Sequence, residues 1–292
     1  MEHVASVARR PLPEGTPARR GAAAGRVTHV RADLRSAEAR RALAGVDLLY
    51  HLGFQLWLGP GGVDRMRELN LSGTSNILAG RPGRVVLASS AAVYGAWADN
   101  ACPLHESHPA RPNPECAYAG HKLAVEALCA DAAPTVSLRL AAVLGPHADA
   151  DVRAAVAGYR LAVPVMAGVR TALQFVDEAD AVDALVAAGR ADGPLPAVLN
   201  VAPPDWDDGS GVSAAAGSRV VRVPRAVLLG ASRLGRRAGL LPFGVDRAVL
   251  LSGPLALDPS AAAVHLGWRA ARTSAATLRA MLAGPRPEAC PI

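Results

Sequence analysis

The chain has 292 residues, 51% of them hydrophobic and 19% charged, and carries a formal charge of +6. That composition can bury a substantial core, which excludes a disordered chain and a collagen-like fibre. Of the 31 basic residues all but Lys122 are Arg, scattered along the chain rather than gathered in a stripe, so a nucleic-acid groove is not expected.

Short apolar runs rich in β-branched residues alternate with longer segments of helical period, the pattern of a parallel sheet covered by helices. In chain order the predicted strands are Val4 to Ala8, Val27 to Arg31, Leu48 to Leu52, Arg84 to Ala88 and Thr135 to Leu140. The clearest predicted helices are Val63 to Leu78 and Tyr118 to Cys129, each long enough for a crossover. Between Ser90 and Tyr118 runs a long polar loop, and long loops in compact domains tend to carry function. Beyond Gly145-Pro146 the alternation loosens, with further elements expected at Leu173 to Val176, Ala179 to Ala188, Ala197 to Val201, Arg219 to Val223 and Ser274 to Leu282. The Asp-, Gly- and Ser-rich stretch Pro203 to Gly217 reads as an exposed loop.

Cys102, Cys116, Cys129 and Cys290 form no CxxC pair and no regular spacing, so neither a metal site nor a disulfide framework is expected. The N-terminus lacks a signal-peptide core. The most apolar stretch, Ala226 to Leu257, is interrupted by Arg233, Arg236, Arg237, Asp246 and Arg247. The expectation is a cytoplasmic protein without a membrane span.

The segment Tyr118-Ala-Gly-His-Lys122 places a phenol and an ammonium one helical turn apart. A nearby cation favours the ionised phenol, which otherwise titrates near about 10. Lysine is a compact point charge, whereas Arg is a planar fork of different reach. Read alone, the same spacing also suits an ordinary exposed Tyr and Lys. Upstream, the apolar run of Arg84 to Ala88 continues into Ser89 and Ser90, at the carboxyl edge of the predicted sheet, where open α/β sheets bind ligands.

The sequence VVLASSAAVYG, a polar loop and then YAGHKLAVEAL resembles the extended short-chain dehydrogenase/reductase family, which includes nucleotide-sugar epimerases and dehydratases. Further segments resemble the family in order along the chain. VTHVRADL resembles its third strand, with Asp33 and Leu34 bordering the adenine. LLYHLGF resembles the fourth strand, with Leu52 and with Gly53 where the family has Ala. RELNLSGTSNIL resembles the helix that carries the family's structural and proton-relay Asn, here Asn70. RLAAVLGP, LQFVDEADAVDAL and HLGW resemble later blocks.

The resemblance implies a Rossmann-like, doubly wound parallel sheet over residues 1–145 and a smaller C-terminal α/β substrate-binding lobe over residues 146–292. It implies Tyr118 as acid/base, Lys122 as the group that lowers the Tyr118 pKa and holds ribose hydroxyls, and Ser90 as the hydrogen-bond partner of the substrate oxygen. Two plainer roles stay open: Ser89 and Ser90 as caps of the following turn, and Asn70 as a tie between backbone segments. The family's second strand ends here in Ala8-Arg9-Arg10. An acidic residue there suits NAD and an Arg suits the 2′-phosphate, so NADP is favoured over NAD. A homodimer is a family expectation.

The family's first strand, glycine-rich turn and first helix would precede His3 and are not in the sequence. Three explanations stand: Met1 is an internal start, the flanking strands pair directly or borrow a strand with cofactor binding weakened, or the chain is a relic without activity. Gly21 to Gly25 and Leu58 to Gly62 have the wrong spacing to replace the turn. Where sugar-nucleotide members carry an Asn and an Arg-Asp-Phe block, this chain reads Ala141-Ala142 and Leu173-Gln174-Phe175. The expectation is therefore an NAD(P)-dependent oxidoreductase acting on a small or apolar alcohol or carbonyl. The alternatives are a sugar-nucleotide epimerase or dehydratase, and a non-catalytic ligand- or partner-binding protein.

Overall fold

A computed structural model describes residues 3–12, 14, 16–56, 62–239 and 244–284. The elements in chain order are β1 (Val4–Ala8), α1 (Pro17–Ala23), β2 (Val27–Arg31), α2 (Ala37–Ala42), β3 (Leu48–His51), α3 (Gly62–Arg67), a π turn (Glu68–Ser72), α4 (Gly73–Leu78) and β4 (Arg84–Ser90). A 3-10 turn (Ala91–Tyr94) follows, then α5 (Ala117–Ala132), β5 (Thr135–Leu140), β6 (Ala142–Leu144), α6 (Ala150–Gly158), β7 (Val163–Met166) and β8 (Phe175–Asp177). The remainder is α7 (Glu178–Arg190), β9 (Val198–Val201), α8 (Ser210–Ala216), β10 (Val220–Val223), α9 (Arg225–Arg237), α10 (Val245–Ala248), a 3-10 turn (Val249–Leu251), α11 (Ser260–Leu266) and α12 (Ser274–Ala283).

The chain divides into two compact units, Met1–Leu87 with Ala124–Val136, and Ala88–Leu123 with Ser137–Ile292. The junctions fall inside β4, α5 and β5. Sequence alternation tracks connectivity, whereas a compact unit is defined by which side chains share a core. Along α5, Val125 and Cys129 belong to the first unit's core, while Ala119 packs with Ala92, Cys116 and Val249 in the second.

In the first unit β1 pairs with β2 and β3 with β4, both in parallel. The adjacent Val85 and Val86 of β4 are both fully buried, as a strand covered on its two faces requires. Ser36 caps α2 by accepting from the Ala39 N–H at 3.1 Å, and Ala39 packs with Leu43, Leu49 and Ile77. β1 and β3 lie in separate sheets, so the direct pairing of these two strands is not what the structure adopts.

In the second unit β5 pairs with β9, β6 with β8 and β10 with β7, again in parallel. Its main core gathers Val163, Val165, Phe175, Leu278 and Leu282. The segment expected as an exposed loop contains α8, whose Val212 is buried. The reason is Asp207: its carboxylate accepts from the N–H groups of Gly209, Gly211 and Val212 at 2.6, 2.9 and 3.1 Å and so holds the start of that helix. Parallel strands under helices are the Rossmann-like α/β architecture expected from the sequence.

Candidate functional site

In the first unit, the carboxyl ends of β1, β2 and β3 and the π turn line a cavity of about 340 Å³. Arg9, Arg10, Asp33, Leu34, Leu52, Gly53 and Asn70 all line it, so every site residue that the sequence places in this unit meets at one cavity. Parallel pairing explains part of this, because the residues just after β1 and β2 arrive at one edge of their shared sheet, and those just after β3, a strand of another sheet, line the same cavity.

Asp33 is clamped from one side. Its Oδ1 accepts from the backbone N–H and Nε of Arg35, both at 2.9 Å, and its Oδ2 from Nη2 at 3.0 Å. The Arg35 hydrogen bonds hold the carboxyl down at about 2 against the opposing effect of burial, with a further pull from Arg9. Arg35 reaches on to Glu68 at 2.7 Å. A Cβ at Gly53 would meet Leu34 Cδ1 at 2.8 Å, so Leu34 occupies the space of the methyl group that the family's Ala would supply.

Asn70, only 2% exposed, sits in the π turn. Its Oδ1 accepts from the Gln55 N–H at 2.7 Å and its Nδ2 donates to the Gln55 carbonyl at 3.1 Å. The backbone tie left open by the sequence is thus present. Thr74 Oγ1 donates to the Asn70 carbonyl at 2.6 Å and bonds His51 Nε2 at 2.8 Å, which steadies the same turn. Of the Leu58-to-Gly62 stretch only Gly62 lies within the described residues.

In the second unit, β4 delivers Ser90 and the first turns of α5 deliver Tyr118 and Lys122. Ser90 Oγ accepts from the Ala92 N–H at 3.2 Å, so it does cap the following turn, and it also hydrogen-bonds the Tyr118 hydroxyl. Lys122 is buried and donates to the Ala88 carbonyl at 2.6 Å. The cation on the Tyr118 ring is Arg247 of α10, whose guanidinium carbon lies 4.4 Å from the ring centroid. Burial pushes the Tyr118 phenol above its ordinary value, the Ser90 hydrogen bond and Arg247 pull it back, and Cys116 adds to the rise.

Sequence reasoning missed Arg247, Arg35 and Gln55. Arg35 stands two residues from Asp33 and its spacing was readable. Arg247 carries no local signal, because only tertiary packing brings it to Tyr118. At the places of the family's Asn and Arg, Ala142 is exposed and Leu173 is buried. Gln174 bonds the backbone of Pro203 and Leu257. Among the described residues no cluster of His, Cys, Asp or Glu could hold a metal ion, and no helix is long and apolar enough to cross a membrane.

The sequence matches, over residues 2–202, the family described as "NAD dependent epimerase/dehydratase family". An uncharacterized protein y4nG of Sinorhizobium fredii (strain NBRC 101917 / NGR234) is 28% identical over 246 residues, covering 78% of this chain. The chain spans 60% of that relative's length. Among solved structures, MoeE5 in complex with UDP-glucuronic acid and NAD is similar with a TM-score of 0.70 at 22% identity, over 96% of this chain and 90% of that one. The UDP-glucose 4-epimerase of Thermus thermophilus, in complex with NAD, gives a TM-score of 0.66 at 22% identity, over 96% and 89% of the two chains. The Bordetella bronchiseptica enzyme WbmG in complex with NAD gives 0.68 at 18% identity, over 96% and 85%. At these identities the likeness establishes the fold.

Proposed function

The chain belongs to the NAD dependent epimerase/dehydratase family, and on that premise we propose that it carries out nicotinamide-dependent redox chemistry at a hydroxyl-bearing carbon of a sugar-nucleotide substrate. The observation that carries the reading is the Ser90–Tyr118 hydrogen bond beside a buried Lys122, at the end of a parallel strand. The substrate class rests on the family and on the UDP-sugars named for MoeE5, and it replaces the small apolar substrate expected from the sequence. A small apolar alcohol or carbonyl stays as the second reading for one reason: the buried Leu173 offers a diphosphate no charge.

The residues fit the adenosine end of a dinucleotide. The 340 Å³ cavity offers Leu34 and Leu52 as apolar walls, the ionised Asp33 as an acceptor for an amino group, and Arg9 and Arg10 as partners for a 2′-phosphate, which favours NADP. No glycine-rich turn lines this cavity among the described residues. When bound, the cofactor supplies a reversible two-electron acceptor.

The chain's own groups handle the proton and the oxygen. Tyr118 Oη accepts the proton of the substrate hydroxyl as the C–H electron pair leaves the carbon, and returns it on reduction. Ser90 Oγ, already bonded to that phenol, orients the substrate oxygen. Lys122 would hold the ribose hydroxyls of the cofactor, and its bond to Ala88 fixes it against the end of β4.

Fluorescence titration with NADPH and NADH tests the reading. Saturable binding of both is expected, with NADPH tighter, and replacing Arg9 and Arg10 together by Ala should remove the NADPH advantage while leaving NADH binding. No saturation by either cofactor, in a sample shown to be folded by circular dichroism, would overturn the proposal and leave a non-catalytic member of the family.

A further inference from the structure

We propose that Arg247 is a positioning residue for Tyr118: its guanidinium, stacked on the phenol ring, fixes the ring plane and supplies the positive field under which the hydroxyl releases its proton. The inference rests on the reading of Tyr118 as the acid/base group and assigns to α10 a part in that site.

Three observations carry it. The guanidinium carbon lies 4.4 Å from the ring centroid, well inside the reach of a cation–π contact. Tyr118 packs against a buried cluster of Ala92, Cys116, Ala119 and Val249, an apolar surround in which a nearby charge is weakly screened. Lys122, the cation expected to act on the phenol, has a backbone carbonyl as a partner at 2.6 Å. A cation above the ring face attracts the phenolate more than the phenol, so it favours release of the proton without blocking the hydroxyl edge that meets Ser90.

The elements around the ring also carry His121 and Lys122 on α5, Arg225, Arg233, Arg236 and Arg237 on α9, and Asp246 on α10, and among the cations it is Arg247 that lowers the phenol. Cys116 raises the phenol, and Asp246 is the neighbour of Arg247 on α10. From α9, Arg225 is paired with Glu115 at 2.7 Å. A second stacked pair, Arg139 at 4.6 Å from the Tyr94 ring, provides a contrast. There the hydroxyl donates to Asn200 at 3.0 Å in a fully buried place, so that pair is structural.

The test is ultraviolet titration of phenolate in the purified protein, with the Tyr118→Phe variant subtracted to isolate one of the four tyrosines. Arg247→Met should move the Tyr118 midpoint upward by about 0.5 to 1.5 pH units, and Arg247→Lys by less, because it keeps the charge but loses the planar stack. Melting curves establish that each variant is folded, and Arg247→Lys serves if Arg247→Met does not fold. A Tyr118 midpoint unchanged in a folded Arg247→Met protein would overturn the proposal, as would an Arg247→Lys midpoint shifted as far as that of Arg247→Met. The readout needs no cofactor or substrate, so failure of the enzymatic reading would show separately, in the cofactor titration.

Discussion

Asp33 accepts three hydrogen bonds from one residue, Arg35, and its folded-state value of about 2 follows from them. A carboxyl depressed on folding adds stability that is complete above its unfolded value, near about 4, and that is lost as pH falls through about 2. The pair is partly exposed, at 24% and 30% for its two side chains, so solvent reduces the contribution to about 1 kcal/mol. Asp33→Asn should therefore cost about 1 kcal/mol at neutral pH in denaturant melts, and the gap from the wild type should close between about pH 4 and pH 2. A gap that persists unchanged at pH 2 would show that the side chain acts by packing instead. Asp33, Ser90, Tyr118 and Lys122 were named through the resemblance to the family, and the one signal readable in the residues alone was the single helical turn between Tyr118 and Lys122. Arg247 was not legible, since its role depends on a tertiary contact that leaves no periodic mark.

The helix expected as one run from Val63 to Leu78 is broken in the structure by the π turn at Glu68–Ser72. Hydrophobic period foresees the helix, but an extra residue in one turn hardly disturbs that period and so goes unseen. Inserted turns of this kind recur at functional sites because they re-aim a side chain. Here the redirected group is Asn70, whose amide satisfies both backbone groups of Gln55 just past β3. Asn70→Ala leaves those two groups without their partner and should cost about 1 to 3 kcal/mol. It should also weaken NADPH binding, because Gln55 and Asn70 line the same cavity. Chemical denaturation and the cofactor titration read the two effects. Wild-type stability in the variant would show that water replaces the amide and that the tie has no structural weight. The helix α8 was missed for a related reason. A run of Asp, Gly and Ser reads as loop until Asp207 is seen collecting the N–H groups of its first turn.

At the scale of the molecule, the two compact units are joined through the middle of regular elements, since β4, α5 and β5 each contribute residues to both. A flexible linker would let each unit melt alone. A helix cut in half does not, because freeing one half of α5 exposes a new end with unpaired backbone groups and shortens the remainder toward the length at which helices are marginal. One cooperative transition is therefore expected, and the tryptophans make it testable. Of the four tryptophans, Trp97, Trp206 and Trp268 fall in the second unit and Trp57 in the first, so a Trp57→Phe background leaves fluorescence reporting the second unit alone, whereas Ile77, 1% exposed, lies in the core of the first. Ile77→Ala should cost about 2 to 5 kcal/mol through the cavity it leaves. If unfolding is cooperative, the tryptophan fluorescence midpoint in urea moves down together with the circular dichroism midpoint, although the substitution is in the other unit. A fluorescence midpoint that stays at the wild-type value while circular dichroism splits into two steps would mean that the first unit melts by itself despite the shared helix.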